Sequence, residues 1–272
     1  MSDVPRSRSR RRPLFAGLIV VVVAGAVVAL AASLLPRGGP QGLPARVDPM
    51  LPDLTMGPIF EVYGGLAENT RDPVIRVEAT IVNQGAGDFL VSARRDFPWN
   101  ESWTVYQRIP EATGGFTEIA TPADLIFTGA PHSHWHVRDM ESHRLENRET
   151  SEILSEVIKQ GFCPFDTDRY FGDLPGAPPN PVFLESACEG PAWTTELMMG
   201  VSVGWGDKYP WHMIEQSIPI KDIPDGTYRI VEVADPFDWF QESDETNNET
   251  WVDVELKREG DIPTVKIIGR AP

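Results

Sequence analysis

Three histidines alternate with single residues in the run His132-Ser133-His134-Trp135-His136, and a fourth follows at His143. Successive side chains on a β-strand point to opposite faces, so a spacing of two aims all three imidazoles the same way. Neutral imidazole is the commonest protein ligand for copper and zinc. The run therefore predicts a metal site on His132, His134 and His136. A helix would scatter the three rings, and Pro131 argues against one here. The chain has five histidines in all, and only His212 lies elsewhere. Copper outranks zinc on a nitrogen site by the general affinity order, while three histidines and one open position also suit a zinc hydrolase. Asp139 and Glu141 are the nearest carboxylates in sequence. On a continuous strand Asp139 sits an odd number of residues from His136 and faces away from the metal.

The strand reading fits the surroundings. Residues 74–82 alternate apolar and polar and stop at Asn83-Gln84-Gly85, a turn. Further strands are expected over 88–93, 102–108, 116–119, 134–144, 198–204, 211–218, 226–233 and 251–257. Pro224-Asp225-Gly226 is a turn, because proline fixes φ and glycine accepts positive φ. One helix is expected over 149–160, capped by Thr150 or Ser151 and stopped by Gly161, with Ile153, Leu154, Val157 and Ile158 on one face. Short strands separated by turns predict an all-β fold, a β-sandwich with long irregular loops. The domain spans 51–258, and the residues after 259 carry little structural signal.

The N-terminus carries arginines at 6, 8, 10, 11 and 12, followed by an apolar run over 14–35. That length suits a transmembrane or signal-anchor helix. The arginines before it favour a basic cytoplasmic tail over 1–13 and a domain outside the cytoplasm, on the extracellular side. Cleavage near Ala29-Leu30-Ala31 would instead release a secreted domain. Residues 36–50, with Gly38, Gly39, Pro40, Gly42 and Pro44, read as a linker. The chain has 24 basic and 40 acidic residues, and the first 37 residues hold six arginines and one aspartate. Beyond them 18 basic residues face 39 acidic ones, a net charge of −21. Such a surface repels nucleic acid and attracts cations. Cys163 and Cys188 are the only cysteines. An even pair in an exported domain predicts a disulfide closing a loop rich in proline and glycine.

The histidine run and the later Ser142-His143 resemble the copper-binding stretch of the lysyl oxidases, particularly compact bacterial members. Lys159-Gln160-Gly161-Phe162-Cys163 with Asp166-Thr167, then Ser202-Val-Gly-Trp-Gly-Asp207, Ile223-Pro-Asp-Gly-Thr-Tyr-Arg229 and Glu242-Ser-Asp-Glu-Thr-Asn-Asn248, continue the resemblance in order over roughly 51–256. It implies copper on His132, His134 and His136, with His143 in a supporting position behind the ligands. It implies oxidation of primary amines to aldehydes, peptidyl lysine of lysine-rich proteins among them, with release of ammonia and hydrogen peroxide. It also implies a quinone made from a tyrosine and a lysine, with Lys159 as the lysine. The family pattern Asp-Tyr-Thr-Asn-Asn, taken as the tyrosine's place, reads Asp244-Glu245-Thr246-Asn247-Asn248 here, and glutamate has no ring to oxidise. Without a partner, Lys159 reverts to a surface lysine at a helix end. The remaining tyrosines are 63, 106, 170, 209 and 228. Tyr170 and Tyr209 lie in loops near the matched motifs, while Tyr228 reads as a packed strand aromatic.

Three other readings compete. Strand 74–82 and the turn at 242–248 also resemble exported immunoglobulin-like modules, which implies a non-catalytic surface-binding or adhesion role, or metal handling. His134-Trp135-His136 with Glu141 resembles half of a cupin metal motif, with His212 as the only candidate for the second half. The acidic residues Asp235, Asp238, Glu242, Asp244 and Glu245 offer oxygen ligands suited to calcium.

Overall fold

The computed structural model describes residues 49–128, 133–159, 161–213, 216–258, 260 and 262–272. The apolar run over 14–35 and His132 lie outside the described residues. Among those described, no helix is long and apolar enough to cross a membrane.

Among the described residues the fold is all-β, with several sheets in a sandwich-like arrangement and one short 3₁₀ turn, Glu185–Ala187. In chain order the strands are β1 (Leu54–Met56), β2 (Val62–Leu66), β3 (Pro73–Val77), β4 (Ala79–Asn83), β5 (Phe89–Arg94), β6 (Thr104–Pro110), β7 (Phe116–Ala120), β8 (Leu125–Phe127), β9 (Trp135–Val137) and β10 (Glu141–Asn147). There follow β11 (Ile153–Ile158), β12 (Asp168–Arg169), β13 (Glu196–Val201), β14 (Trp205–Tyr209), β15 (Ser217–Pro219), β16 (Gly226–Ala234), β17 (Glu249–Lys257) and β18 (Thr264–Arg270). They form sheets ordered β1-β4-β14-β12, β11-β10-β16-β17-β18, β13-β5-β6-β7, β15-β3-β2 and β8-β9.

Two apolar clusters sit between them. One joins Ile81, Phe89, Val105, Trp135, Phe162, Met199 and Tyr209. The other packs Leu145, Ile230, Val252 and Val254 against Ile75, Val77 and Ile218. The second cluster stops abruptly along its own sheet. β10 and β16 pair with Leu145 opposite Ile230 and His143 opposite Glu232. Alternation puts Glu141, His143 and Leu145 on one face of β10, and Ile230 and Glu232 on the matching face of β16. One buried face is therefore apolar at one end and charged at the other.

Four expectations need correction. Of the helix expected over 149–160, the described residues 149–159 are not helical. Asn147 caps a turn by accepting from the N–H groups of Glu149 and Thr150, and β11 then pairs antiparallel with β10. The β-branched residues Ile153, Val157 and Ile158 serve that edge strand better than a short exposed helix. Strand 134–144 is broken into β9 and β10 by a bend at 138–140, where Asp139 has φ 59°. The alternation rule that placed Asp139 therefore does not run through the stretch. Lys159 is not on the surface but 2 % exposed. Finally, the residues after 259 contain β18, which pairs with β17 along the edge of the five-stranded sheet.

Candidate functional site

β9 positions the histidines through its two buried residues, Trp135 and Val137. Trp135 is buried and packs edge-on against Trp103, with ring centroids 4.8 Å apart, and against Phe127 at 5.3 Å. Arg95 lies over Trp103 and Trp135 and donates to the carbonyls of Thr194, Asn100 and Ala192. With Trp135 fixed inward, alternation turns His134 and His136 the other way, into a cleft of about 880 Å³. Their Nε2 atoms converge to 2.6 Å.

The predicted disulfide joins Cys163 and Cys188, and its place explains more than loop closure. Val137 exchanges two backbone hydrogen bonds with Phe162, at 2.8 and 2.9 Å. Trp135 donates to the carbonyl of Cys188 at 2.9 Å, and His134 bridges Glu189. The bridge thus ties together two segments that both pair with the histidine strand. Gly161 lets one of them pass close by, since a Cβ there would meet His136 Nδ1 at 2.3 Å.

Lys159 and Tyr209 meet in the same cleft, whose lining also includes His134, His136 and Asp207. Lys159 Nζ stands 3.1 Å from the centroid of the Tyr209 ring. Tyr209 is held at its other end by the N–H of Cys163, which donates to its hydroxyl at 3.0 Å. Gln216, with its amide turned to donate to the carbonyl of Val77 at 3.0 Å, accepts from Lys159 Nζ at 2.8 Å. Burial pushes the Tyr209 phenol well above its ordinary range, and the neighbouring Asp207 adds to this. Burial likewise holds Asp207 well above the usual carboxylate range, against the pull of Lys159.

Behind Lys159 lies a group of charges at the polar end of the five-stranded sheet. Glu141 Oε2 is 3.4 Å from Lys159 Nζ. Glu141 Oε1 is 3.3 Å from His143 Nε2, and His143 Nδ1 is 3.4 Å from Glu232 Oε1. Burial alone would lower the His143 pKa, but the two carboxylates outweigh it and raise it. Burial raises Glu232 to about 7, with His143 opposing the shift. Glu141, His143 and Glu232 each offer a ligand atom, all within 4.8 Å of one another, so the cluster could hold a metal ion. The two carboxylates face opposite nitrogens of one ring, however, and that suits a doubly paired imidazolium better than a chelate. Glu232 and Gln216 escaped sequence reasoning. The available signal was a glutamate in an apolar slot of the run Ile230-Val231-Glu232-Val233.

The other candidate residues are placed elsewhere. Glu245 accepts from the N–H of Glu242 in the turn before β17. Tyr170 hydrogen-bonds Thr80, and Tyr228 is a buried strand residue that donates to the carbonyl of Pro224. In the acidic stretch, Asp235 accepts from the N–H groups of Trp239 and Phe240, and Glu242 from those of Leu54 and the Asn248 side chain. Asp235 fastens its own loop, and Glu242 ties that loop to β1. His212 stands edge-on to Trp211.

No family model matches the chain, and no curated protein matches it.

Proposed function

We propose that this protein is a copper-dependent oxidase of primary amines, with copper on His132, His134 and His136 and an organic cofactor built from Lys159 and Tyr209. The observation that carries the reading is the Lys159 nitrogen 3.1 Å from the centre of the Tyr209 ring, in a cleft also lined by two converging imidazoles. Two nitrogen donors two residues apart on one strand fit copper, and the third comes from the sequence spacing. On this reading the ring comes from Tyr209, and the glutamate at 245 has no bearing on it.

The quinone, once formed, would oxidise a primary amine to an aldehyde and pass its electrons to dioxygen. Its formation balances as one lysine amine, one tyrosine and two dioxygen giving the cross-linked quinone, one hydrogen peroxide and one water. A bond forms from Nζ to one ring carbon and an oxygen from dioxygen bonds a second; one N–H, the ring C–H at each of those carbons and the phenol O–H break, and dioxygen takes the electrons. The protein's own part is positional. The Cys163 N–H fixes the phenol end of Tyr209, Phe162 packs at 5.1 Å from its ring, and Gln216 and Glu141 hold Nζ. Burial excludes water, which would compete for an activated ring. The acidic surface favours approach of cationic amines. The N-terminal run, as anchor or signal, would place this chemistry outside the cytoplasm, where a disulfide persists.

The test is to load the full chain with copper in air and digest it. A peptide joining Lys159 to Tyr209, gaining one oxygen and losing four hydrogens, is expected, together with redox-cycling quinone stain and peroxide release on adding a primary amine. Tyr209→Phe should abolish all three while keeping copper. Copper-loaded protein in which both residues stay unmodified would refute the proposal.

A further inference from the structure

Four charged side chains meet beside Tyr209, and none is more than 2 % exposed: Lys159, Glu141, His143 and Glu232. Their contacts run in a line from Nζ through Glu141 and both nitrogens of His143 to Glu232, at 3.4, 3.3 and 3.4 Å. Isolated charges at such depth are strongly disfavoured, so the line must balance. An ammonium, two carboxylates and an imidazolium sum to zero. Neither oxygen of Glu232 has a closer hydrogen-bond partner among the described residues than the ring it faces.

The Lys159 nitrogen begins with three hydrogens and, once joined to a ring carbon, keeps one. It sheds two protons, and each needs an acceptor. Gln216 accepts a hydrogen bond but cannot take up a proton. Asp207 and Tyr209, on β14, border the same space, but Asp207 accepts from the N–H of Phe165 and the Tyr209 hydroxyl from that of Cys163. Glu78, at the join of β3 and β4, adds negative charge felt by Glu232 but is paired with Lys208 at 2.7 Å. Glu141 is the carboxylate in contact with Nζ.

Resting on the reading that Lys159 and Tyr209 form the cofactor, we infer that Glu141 takes the first proton from Lys159, that His143 and Glu232 hold Glu141 in place for it, and that the dioxygen reduced in the same reaction consumes the second. His143, with an N–H at each ring nitrogen, faces both carboxylates and stays charged throughout. The first transfer leaves the sum of charges in the group unchanged, and the dioxygen reduced in the same reaction consumes protons afterwards. Glu141 is then a proton acceptor for the cross-link, and His143 and Glu232 are positioning residues acting through it. The cluster serves construction of the cofactor, a task separate from metal binding.

The experiment follows the yield of the Lys159–Tyr209 linked peptide against time in copper-loaded full chain, between pH 6 and 9. Wild type should link at a rate nearly independent of pH, because the protons move within the protein. Glu141→Gln should bind the same amount of copper and link at least tenfold more slowly at pH 7, recovering as pH rises and bulk base substitutes. Glu232→Gln leaves the Lys159 contact intact and should show a smaller slowing with the same pH trend. Glu141→Asp should restore most of the rate. Should Glu141→Gln fail to fold, Glu232→Gln alone decides. Both glutamine variants linking at the wild-type rate, or slowing without pH dependence, would overturn the role of Glu141 as proton acceptor and leave the cofactor reading standing. A wild type that binds copper and never links would overturn both.

Discussion

Removing the Cys163–Cys188 bridge should do two separable things. The bridge spans 25 residues of sequence, and closing a loop of that size restricts the unfolded chain enough to stabilise by about 3.5 kcal/mol. For a domain of this length each kcal/mol moves the melting temperature by about 2–4 °C, so Cys163→Ala/Cys188→Ala should melt about 7–14 °C lower. The second effect is local. The bridged segments are the two that hydrogen-bond Val137, Trp135 and His134. Once they are free to move independently, the two imidazoles lose their fixed approach, and on the proposed function copper affinity should fall tenfold or more. Calorimetry of wild type and double variant, with and without reductant, reads the first effect. Competition with a chromogenic chelator at a temperature where both remain folded reads the second. A full drop in melting temperature with unchanged copper affinity would refute the claim that the bridge aligns the histidine strand. A drop under about 2 °C would refute the entropic estimate.

Other expectations follow from single contacts. Gly161→Ala would place a Cβ against His136, so copper affinity should fall while urea stability drops by roughly 1–3 kcal/mol. Asp166 accepts from the N–H groups of Val182, Phe183 and Ser202 and from the Ser202 hydroxyl. Asp166→Ala strands these donors and should cost about 3–5 kcal/mol in urea denaturation. Burial raises Glu242 to about 8 and Asp235 to about 6. The folded state therefore holds protons that the unfolded state has already released, and stability should decline as pH rises from about 4.5 towards 8. Glu242→Gln should flatten that decline by roughly 2–4 kcal/mol, the hydrogen bonds from Leu54 and Asn248 offsetting part of the burial cost. Urea midpoints at pH 5 and 8.5 measure it.

Much of the fold was legible because strand alternation is local. The runs at 88–93, 102–108, 116–119, 226–233 and 251–257 each overlie a strand. The helix expected at 149–160 failed because its apolar residues fit both periods, and pairing with β10 decided between them. β14 went unread because Trp205-Gly206-Asp207-Lys208-Tyr209 has no apolar alternation, although Asp207 and Tyr209 share one face of it. The histidine pair could be read from spacing alone. The partnership of Lys159 with Tyr209 could not, because it joins residues 50 apart that only the folding of β14 onto β4, beside the pairing of β10 with β11, brings together. Glu232 drew no reading of its own within the strand expected over 226–233, and it is central because β10 and β17 flank β16.

The sheet face that begins with Leu145 and Ile230 and ends with His143 and Glu232 has a consequence for how sturdy this molecule can be. Replacing a buried group of ions by apolar residues of similar volume is often neutral or stabilises by about 1–4 kcal/mol. Extending the apolar rows with leucine, methionine or valine at 141, 143 and 232, and a neutral residue at 159, would continue a core that already exists. The natural chain forgoes that reserve on its best-protected surface. A laboratory selection for heat resistance alone should find these four positions early, and the variants it enriches should be tougher and chemically silent.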